Sequence, residues 1–175
     1  MAENGYPNLK VKIRDISNFP TPGINFKDIT PLLEDKIAFH EAIDGIAGFY
    51  KNKKIDKVVG IDARGFLLAS AVAYLLGAGM VIVRKNGKLP WEKILREHDL
   101  EYGKSTLEMH IDSIKKGERV LIVDDVLATG GTAEAAIKLA EDLGGEIVGA
   151  AFLLELPLGG REKLKKYEIR ALINY

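Results

Sequence analysis

Cysteine is absent from the 175 residues, and so is any apolar run long enough to cross a membrane. The missing thiols exclude disulfide bonds, cysteine-bound zinc or iron–sulfur centres and a cysteine nucleophile. A membrane-spanning helix needs about 20 apolar residues, but the stretch VVGIDARGFLLASAVAYLL is interrupted by Asp62 and Arg64. The first residues, MAENGYPNLK, lack the basic start and apolar run of a signal peptide. We therefore expect a cytoplasmic protein with no membrane partner.

Net charge is also missing, because 25 lysines and arginines balance 25 aspartates and glutamates. A chain without a positive field lacks the long-range attraction that draws basic proteins to phosphate backbones, so no nucleic-acid partner is expected. No repeat, low-complexity tract or linker divides the sequence. The length suits one domain, and we predict a single domain over residues 1–175.

Runs rich in valine and isoleucine alternate with helical stretches, which is typical of stacked βαβ units. The pattern predicts strands at residues 57–62, 80–84, 119–124, 146–153 and 169–173, and helices at 36–50, 65–76 and 132–143. Strands that are apolar at nearly every position indicate a parallel sheet with helices on both faces. Ligands of such sheets bind beyond the carboxyl ends of the strands, which places Asp62, Arg64, Arg84, Lys85, Asp124 and Asp125 at one rim.

Two segments do not follow this alternation. Residues 85–118 are far longer than the roughly two to six residues of a usual strand-to-helix connection, and they are expected to form a flap over the site. Within them, LEMHI alternates as a short strand does. Residues 9–34 are turn-rich and precede the sheet, so they are expected to form a hood on the other side of the site.

The most informative motif is VLIVDDVLATGGT at residues 120–132, where a buried strand ends in two acids and a turn of small residues opens a helix. The turn can direct backbone N–H groups at a phosphate near the helix N-terminus; it comprises Ala128, Thr129, Gly130, Gly131 and Thr132. Asp124 and Asp125 would repel a phosphate, so they suit ribose hydroxyls or a divalent cation. A sugar phosphate satisfies both halves. The rival motifs GxxxxGK[ST], GxGxxG, HExxH and GxSxG do not occur.

This motif resembles the phosphoribosyl pyrophosphate fingerprint of the phosphoribosyltransferase family. Four segments narrow the resemblance to the adenine phosphoribosyltransferases: FPTPGINFKDITPLL is similar to their base-binding segment, GIDARGF to their pyrophosphate loop, and RKNGKLP and LEYGKSTLEMH to their flap. GGREKL, residues 159–164, agrees with the family without suggesting chemistry. The resemblance implies a type I phosphoribosyltransferase fold, in which a parallel sheet flanked by helices carries a small hood and a flexible flap.

The implied activity transfers the phosphoribosyl group of 5-phosphoribosyl 1-pyrophosphate to adenine, giving AMP and pyrophosphate in purine salvage. The family also implies a homodimer. Mg²⁺ is the implied cofactor, bound through substrate and water rather than by direct protein ligands, with Asp124 and Asp125 as candidate contacts. Two alternatives stay open: a phosphoribosyltransferase for hypoxanthine, guanine or xanthine, and a non-catalytic regulator that senses phosphoribosyl pyrophosphate.

Residue roles follow from the same resemblance. Glu101 would exchange a proton with the purine imidazole ring under a lid completed by Tyr102, and Arg64 and Lys85 would stabilise the leaving pyrophosphate. Arg84 and Lys88 add positive charge beside them.

Phe26 would stack on the base while the backbone of Asn25 and Lys27 meets its edge, and Asp124 and Asp125 would bind the ribose hydroxyls. The family usually has an aliphatic residue and an arginine where this chain has Asn25 and Lys27. This departure leaves the identity of the purine open.

Overall fold

A seven-stranded sheet forms the centre of the computed structural model, which describes residues 6–99 and 104–175. Five neighbouring strands are parallel and lie in the order β4 (Gly79–Lys85), β3 (Lys57–Ile61), β7 (Arg119–Leu127), β8 (Glu146–Glu155) and β9 (Ile169–Asn174). Beyond β4 the sheet continues with β6 (Lys104–His110) and then β5 (Lys93–Asp99), both in antiparallel pairing. The carboxyl ends of the five parallel strands therefore share one edge.

Helices cover both faces of the sheet. The helices are α1 (Pro7–Lys10), α2 (Thr30–Glu34), α3 (Lys36–Gly48), α4 (Gly65–Leu76), α5 (Gly131–Asp142) and α6 (Gly160–Lys163). Val58 packs in the cluster beneath α3 and α4, whereas its neighbour Val59 packs beneath α5, and both are fully buried. Successive strand residues point to opposite faces, so the sheet is buried on both sides at β3. Within the described ranges, no helix is long and apolar enough to cross a membrane.

A second, two-stranded sheet precedes α2. It consists of β1 (Arg14–Ser17) and β2 (Asn25–Asp28), which pair antiparallel with Ile16 opposite Phe26. This small sheet carries the residues that the sequence assigned to the purine base. The side chain of Asp35 accepts hydrogen bonds from the backbone N–H groups of Ile37 and Ala38 and so starts α3 directly after this region.

The predicted α/β class, with a central sheet flanked by helices, is confirmed, while two details differ. The sheet is mixed rather than wholly parallel, because residues 85–118 contribute two strands where the alternation of LEMHI predicted one. Strand β7 also continues through both acids to Leu127, although the sequence predicted its end at Asp124. The extension follows from pairing: Val126 and Leu127 stay in register with Leu154 and Glu155 of β8.

Candidate active site

Two adjacent carboxylates lie near the carboxyl end of β7. Asp124 and Asp125, hereafter the acid pair, differ in exposure: Asp124 is half-buried, whereas the Asp125 side chain is only 8% exposed. The backbone N–H of Asp125 donates to Oδ1 of Asp124 at 2.9 Å. Burial raises the pKa of both carboxyls, and the negative charge of Asp125 raises that of Asp124 further. A ligand that donates hydrogen bonds to this pair would stabilise its negative charge, which burial makes unfavourable.

Gly65, the first residue of α4, lies against the acid pair. A Cβ atom placed on this residue would lie 2.5 Å from Oδ1 of Asp124. Only a glycine allows the helix N-terminus to approach the carboxylate this closely, so Gly65 is a site residue that sequence reasoning missed.

Arg64 connects the acid pair to the predicted base-binding segment. Its Nε lies 2.8 Å from Oδ2 of Asp125, and its Nη1 donates to the backbone carbonyl of Lys27 at 3.3 Å. Its guanidinium carbon also lies 4.7 Å from the centre of the Phe26 ring. The structure therefore brings Phe26 and Asp125 into contact with the same arginine. The predicted contact of Arg64 with pyrophosphate stays a prediction, since in this structure its partners are Asp125 and β2.

The two residues that depart from the family pattern share one partner. Asp15 lies opposite Lys27 in the small sheet, forms an ion pair with its Nζ and accepts from Nδ2 of Asn25 at 3.2 Å. These hydrogen bonds lower the pKa of Asp15. Lys27 also lies over the ring of Tyr175, with Nζ 4.0 Å from its centre. Because alternate strand residues point to opposite faces, Phe26 points away from this cluster.

The turn predicted to bind the 5-phosphate contacts the first residue of α6. Residues 128–130 lead from β7 into α5, which begins at Gly131. The N–H of Gly160 donates to the carbonyl of Ala128 at 3.0 Å, and a Cβ on Gly160 would lie 2.4 Å from that oxygen. The GGREKL segment, which suggested no chemistry in the sequence, thus shapes the turn. In the sequence, the adjacent Gly159 and Gly160 were the feature that could have indicated this close contact.

The predicted pyrophosphate cations gather around Asp62, which follows β3. Its Oδ2 lies 3.0 Å from Arg84 Nε, 3.4 Å from the backbone N of Lys85 and 3.6 Å from Lys88 Nζ. Burial raises the pKa of Asp62, but the hydrogen bonds from Arg84 and Lys85 outweigh burial, and the pKa lies below its usual value. Asp62 is therefore ionised at neutral pH and anchors the start of this segment.

Two predicted residues, Glu101 and Tyr102, lie outside the described residues. The strands on either side of them, β5 and β6, pair from Lys93 with His110 to Asp99 with Lys104. Near α5, the ring Nε2 of His98 on β5 lies 3.4 Å from Oγ1 of Thr132. The segment predicted as a flap thus contacts the end of the phosphate turn.

The acid pair offers a cation few direct ligands. Across residues 6–99 and 104–175, no group of three or more histidine, aspartate or glutamate side chains could hold a metal ion. Oδ2 of Asp125 is buried and has no hydrogen-bond partner, although Nε of Arg64 lies 2.8 Å from it. This donor set fits a hydrated cation that is carried mainly by a phosphorylated substrate.

Comparison with known proteins identifies the fold and its relatives. Residues 32–173 match the model of the phosphoribosyl transferase domain family. The adenine phosphoribosyltransferase of Clostridium kluyveri is 55% identical over 169 residues, which are 96% of this chain and 98% of that protein.

Solved structures agree with the sequence relatives. The crystal structure of adenine phosphoribosyltransferase from Rhodothermus marinus has a TM-score of 0.92 and 49% identity, and the alignment covers 96% of this chain and 97% of that one. The Giardia lamblia enzyme in complex with 9-deazaadenine has a TM-score of 0.92 and 38% identity, with 96% of each chain covered. Together with the acid pair, the phosphate turn and the base segment that Arg64 connects, these likenesses show that the chain belongs to the phosphoribosyltransferase family, and within it to the adenine phosphoribosyltransferases.

Proposed function

We propose that this chain transfers the phosphoribosyl group of 5-phosphoribosyl 1-pyrophosphate to adenine, giving AMP and pyrophosphate in purine salvage. The observation that carries the proposal is the junction at Arg64, which contacts both the Phe26 ring and the buried Asp125 carboxylate. A base stacked on Phe26 and a ribose bound at the acid pair would meet at this point, where the glycosidic bond is made.

Charge at the site matches the polarity of that reaction. As pyrophosphate departs, positive charge develops on the ribose and negative charge on the leaving group. The carboxylates of the acid pair are proposed to face the positive charge on the ribose. Arg84, Lys85 and Lys88 lie on the segment proposed to face the negative charge on the pyrophosphate. Fixed charges of the right sign lower the barrier because they need not reorganise during the reaction. The turn from Ala128 to Thr132 would hold the 5-phosphate.

Glu101 is proposed as the group that exchanges a proton with the imidazole ring of adenine, and Tyr102 as part of the lid above it. A carboxylate under a closed flap would work in a water-poor space, where its pKa can approach the working pH. Exclusion of water also matters because the activated ribose would otherwise be hydrolysed. We propose that residues 85–118 act as this flap, with residues 9–34 as the hood, in one domain spanning the chain.

Mg²⁺ is proposed to enter with the substrate diphosphate. When bound, it would supply positive charge that neutralises the leaving pyrophosphate. Oδ2 of Asp125 is the protein atom proposed to accept from its water shell or from a ribose hydroxyl. The remaining work falls to side chains of the protein, which bind and orient the sugar.

Wild-type enzyme with magnesium and phosphoribosyl pyrophosphate is expected to form nucleotide from adenine and not from hypoxanthine, guanine or xanthine. Glu101→Gln should reduce kcat for adenine about 10²-fold, because positioned proton transfer contributes about that much. Product is measured by chromatography for all four bases in parallel. Turnover of another base would favour the alternative purines, and binding without turnover of any base would favour the regulator. An unchanged kcat in Glu101→Gln would remove this residue from the mechanism.

Asp15→Ala should raise the KM for adenine about fivefold, since each partly exposed ion pair or hydrogen bond contributes about 0.2–1 kcal/mol to holding β2. Asn25 and Lys27 would lose their shared partner, while the phosphate turn would be untouched. The KM for phosphoribosyl pyrophosphate should therefore stay constant. Steady-state kinetics with each substrate varied would show the split, with the exposed Asp44→Ala as control. Equal rises in both KM values would refute the role of Asp15.

A homodimer is proposed as the working assembly. Helix α4 and the neighbouring strand β4 expose large apolar side chains, namely Leu67 at 52%, Tyr74 at 85%, Leu75 at 49% and Ile82 at 37%. Apolar clusters of this kind are typical of surfaces that pair with another chain. A second copy of this chain is the proposed occupant, in the cytoplasm, where a protein without cysteine needs no oxidising environment.

A further inference from the structure

Glu108 on β6 is a fully buried carboxylate to which the proposed mechanism gives no task. It and Asp125 are the buried charged residues of the described chain. Transfer of an ionised carboxylate from water into a protein interior is strongly unfavourable unless hydrogen bonds and a counter-charge compensate it. An apolar residue would fit this position of the strand equally well, so the contacts of Glu108 must explain why a carboxylate is buried there.

Three donors surround Glu108, and two of them are backbone groups of one short segment. Oε1 accepts from the N–H of Gly87 at 2.7 Å, and Oε2 accepts from the N–H of Leu89 at 3.0 Å. Nζ of Lys93 lies 2.9 Å from Oε1 and also donates to the carbonyl of Leu89 at 2.8 Å. Burial raises the pKa of Glu108, but these donors outweigh burial and lower it. Glu108 is therefore ionised and bound to residues 87–89.

The segment held in this way carries the pyrophosphate cations. Lys85 and Lys88 are exposed, whereas Leu89 between Lys88 and the flap strands is buried. Asp62 binds the segment at its start, through the side chain of Arg84 and the backbone N of Lys85. Glu108 binds it three residues later from the opposite element, β6, where it pairs in register with Arg84. Two carboxylates thus fix both ends of a loop in which Lys85 and Lys88 are exposed, with Lys88 Nζ 3.6 Å from Oδ2 of Asp62.

We propose that Glu108, together with Lys93, is a positioning residue that fixes residues 87–89 so that Lys85 and Lys88 face the diphosphate of the substrate. This inference rests on the proposed function. Its physical basis is that the carboxylate engages the backbone N–H groups of the loop and leaves the lysine side chains for the ligand. Without it, the N–H groups of Gly87 and of the buried Leu89 would lose their acceptor, and the loop would shift to reach water.

Glu108→Gln is the sharpest test, because the amide keeps the shape but turns an NH₂ toward one of the two backbone donors. We expect the KM for phosphoribosyl pyrophosphate, and the KM for pyrophosphate in the reverse reaction, to rise about tenfold, since one mispaired buried donor has roughly that effect. The KM for adenine and kcat should stay within about twofold, because the base segment is not touched. Glu92→Gln, an exposed glutamate of the same segment, is the matched control.

Lys93→Met keeps the proposal testable if Glu108→Gln does not fold. It removes one of three donors and is expected to raise the same two KM values about threefold. Titration of inorganic pyrophosphate with magnesium should show a parallel loss of affinity in both variants. Unchanged KM values and affinity for pyrophosphate, or equal rises for adenine and phosphoribosyl pyrophosphate, would overturn the role of Glu108. Failure of the wild type to form AMP would instead overturn the proposed function, and the titration would still report on the loop.

Discussion

Replacing both carboxylates of the acid pair with amides is expected to lower kcat/KM for phosphoribosyl pyrophosphate about 10²- to 10³-fold. Asp124→Asn with Asp125→Asn keeps the size of both side chains but removes the negative charge that is proposed to face the ribose. Hydrogen bonds to charged groups contribute about 1.5–3 kcal/mol, against about 0.5–1.5 for neutral ones, and about 1.4 kcal/mol corresponds to a tenfold change in rate. Steady-state kinetics with phosphoribosyl pyrophosphate as the varied substrate would measure the loss.

The same double variant should lose activity without losing thermal stability. Burial raises the pKa values of both carboxyls above the ordinary 3.8, and the negative charge of Asp125 raises that of Asp124 further. A group whose pKa is higher in the folded state contributes its stability at low pH and loses it as the pH rises through the raised pKa. The wild type should therefore lose stability from this pair between acid and neutral pH, and the double variant should not. We expect the variant to melt at or above the wild-type temperature at pH 7.

The control replaces two exposed aspartates, Asp44→Asn with Asp112→Asn, which changes the net charge by the same amount. This control should match the wild type in both kinetics and melting. A double variant of the acid pair that keeps wild-type kinetics would contradict its contact with the ribose. A double variant that melts far below the wild type would show that the carboxylates stabilise the fold, contrary to the burial that raises their pKa values.

Local patterns predicted the parallel part of the sheet well because each strand there is apolar on both faces. The run of residues 119–124 needs no partner to be read as a buried strand, and helix α4 has the predicted bounds. The flap segment was harder, since strands β5 and β6 are charged and only half-buried. What makes them strands is pairing with each other and with β4, and pairing between distant segments leaves little trace in a single sequence.

The candidate site divides in the same way. Asp124, Asp125 and the turn that follows them are consecutive, so a motif reveals them together. Asp15 and Glu108 are not consecutive with the residues they hold. The sequence does not distinguish either residue from the other carboxylates. Only the fold shows that Asp15 contacts Lys27 and that Glu108 contacts the backbone of Gly87. Residues that act by shaping a loop through its backbone can be recognised only once the path of that loop is known.

Gly160→Ala is the second large effect we expect, because the glycine lies where the proposed phosphate turn meets α6. The new methyl group would lie 2.4 Å from the carbonyl oxygen of Ala128 and 2.7 Å from Cδ1 of Leu127. The leucine side chain can move, but the carbonyl belongs to the turn and must be displaced with it. A displacement of about 1 Å in a positioned site reduces activity about 10²-fold, and overpacking destabilises a fold by about 1–3 kcal/mol.

Gly48→Ala separates this steric effect from the general consequences of replacing glycine. Gly48 ends α3, and a Cβ there would have no atom within 4 Å. Alanine is favoured over glycine in a helix by about 0.5–1 kcal/mol, so this variant should be as stable as the wild type or more so, with unchanged kinetics. Gly160→Ala should instead raise the KM for phosphoribosyl pyrophosphate far more than that for adenine, measured well below its melting temperature. Wild-type affinity for phosphoribosyl pyrophosphate in that variant would mean that α6 does not set the shape of the phosphate turn.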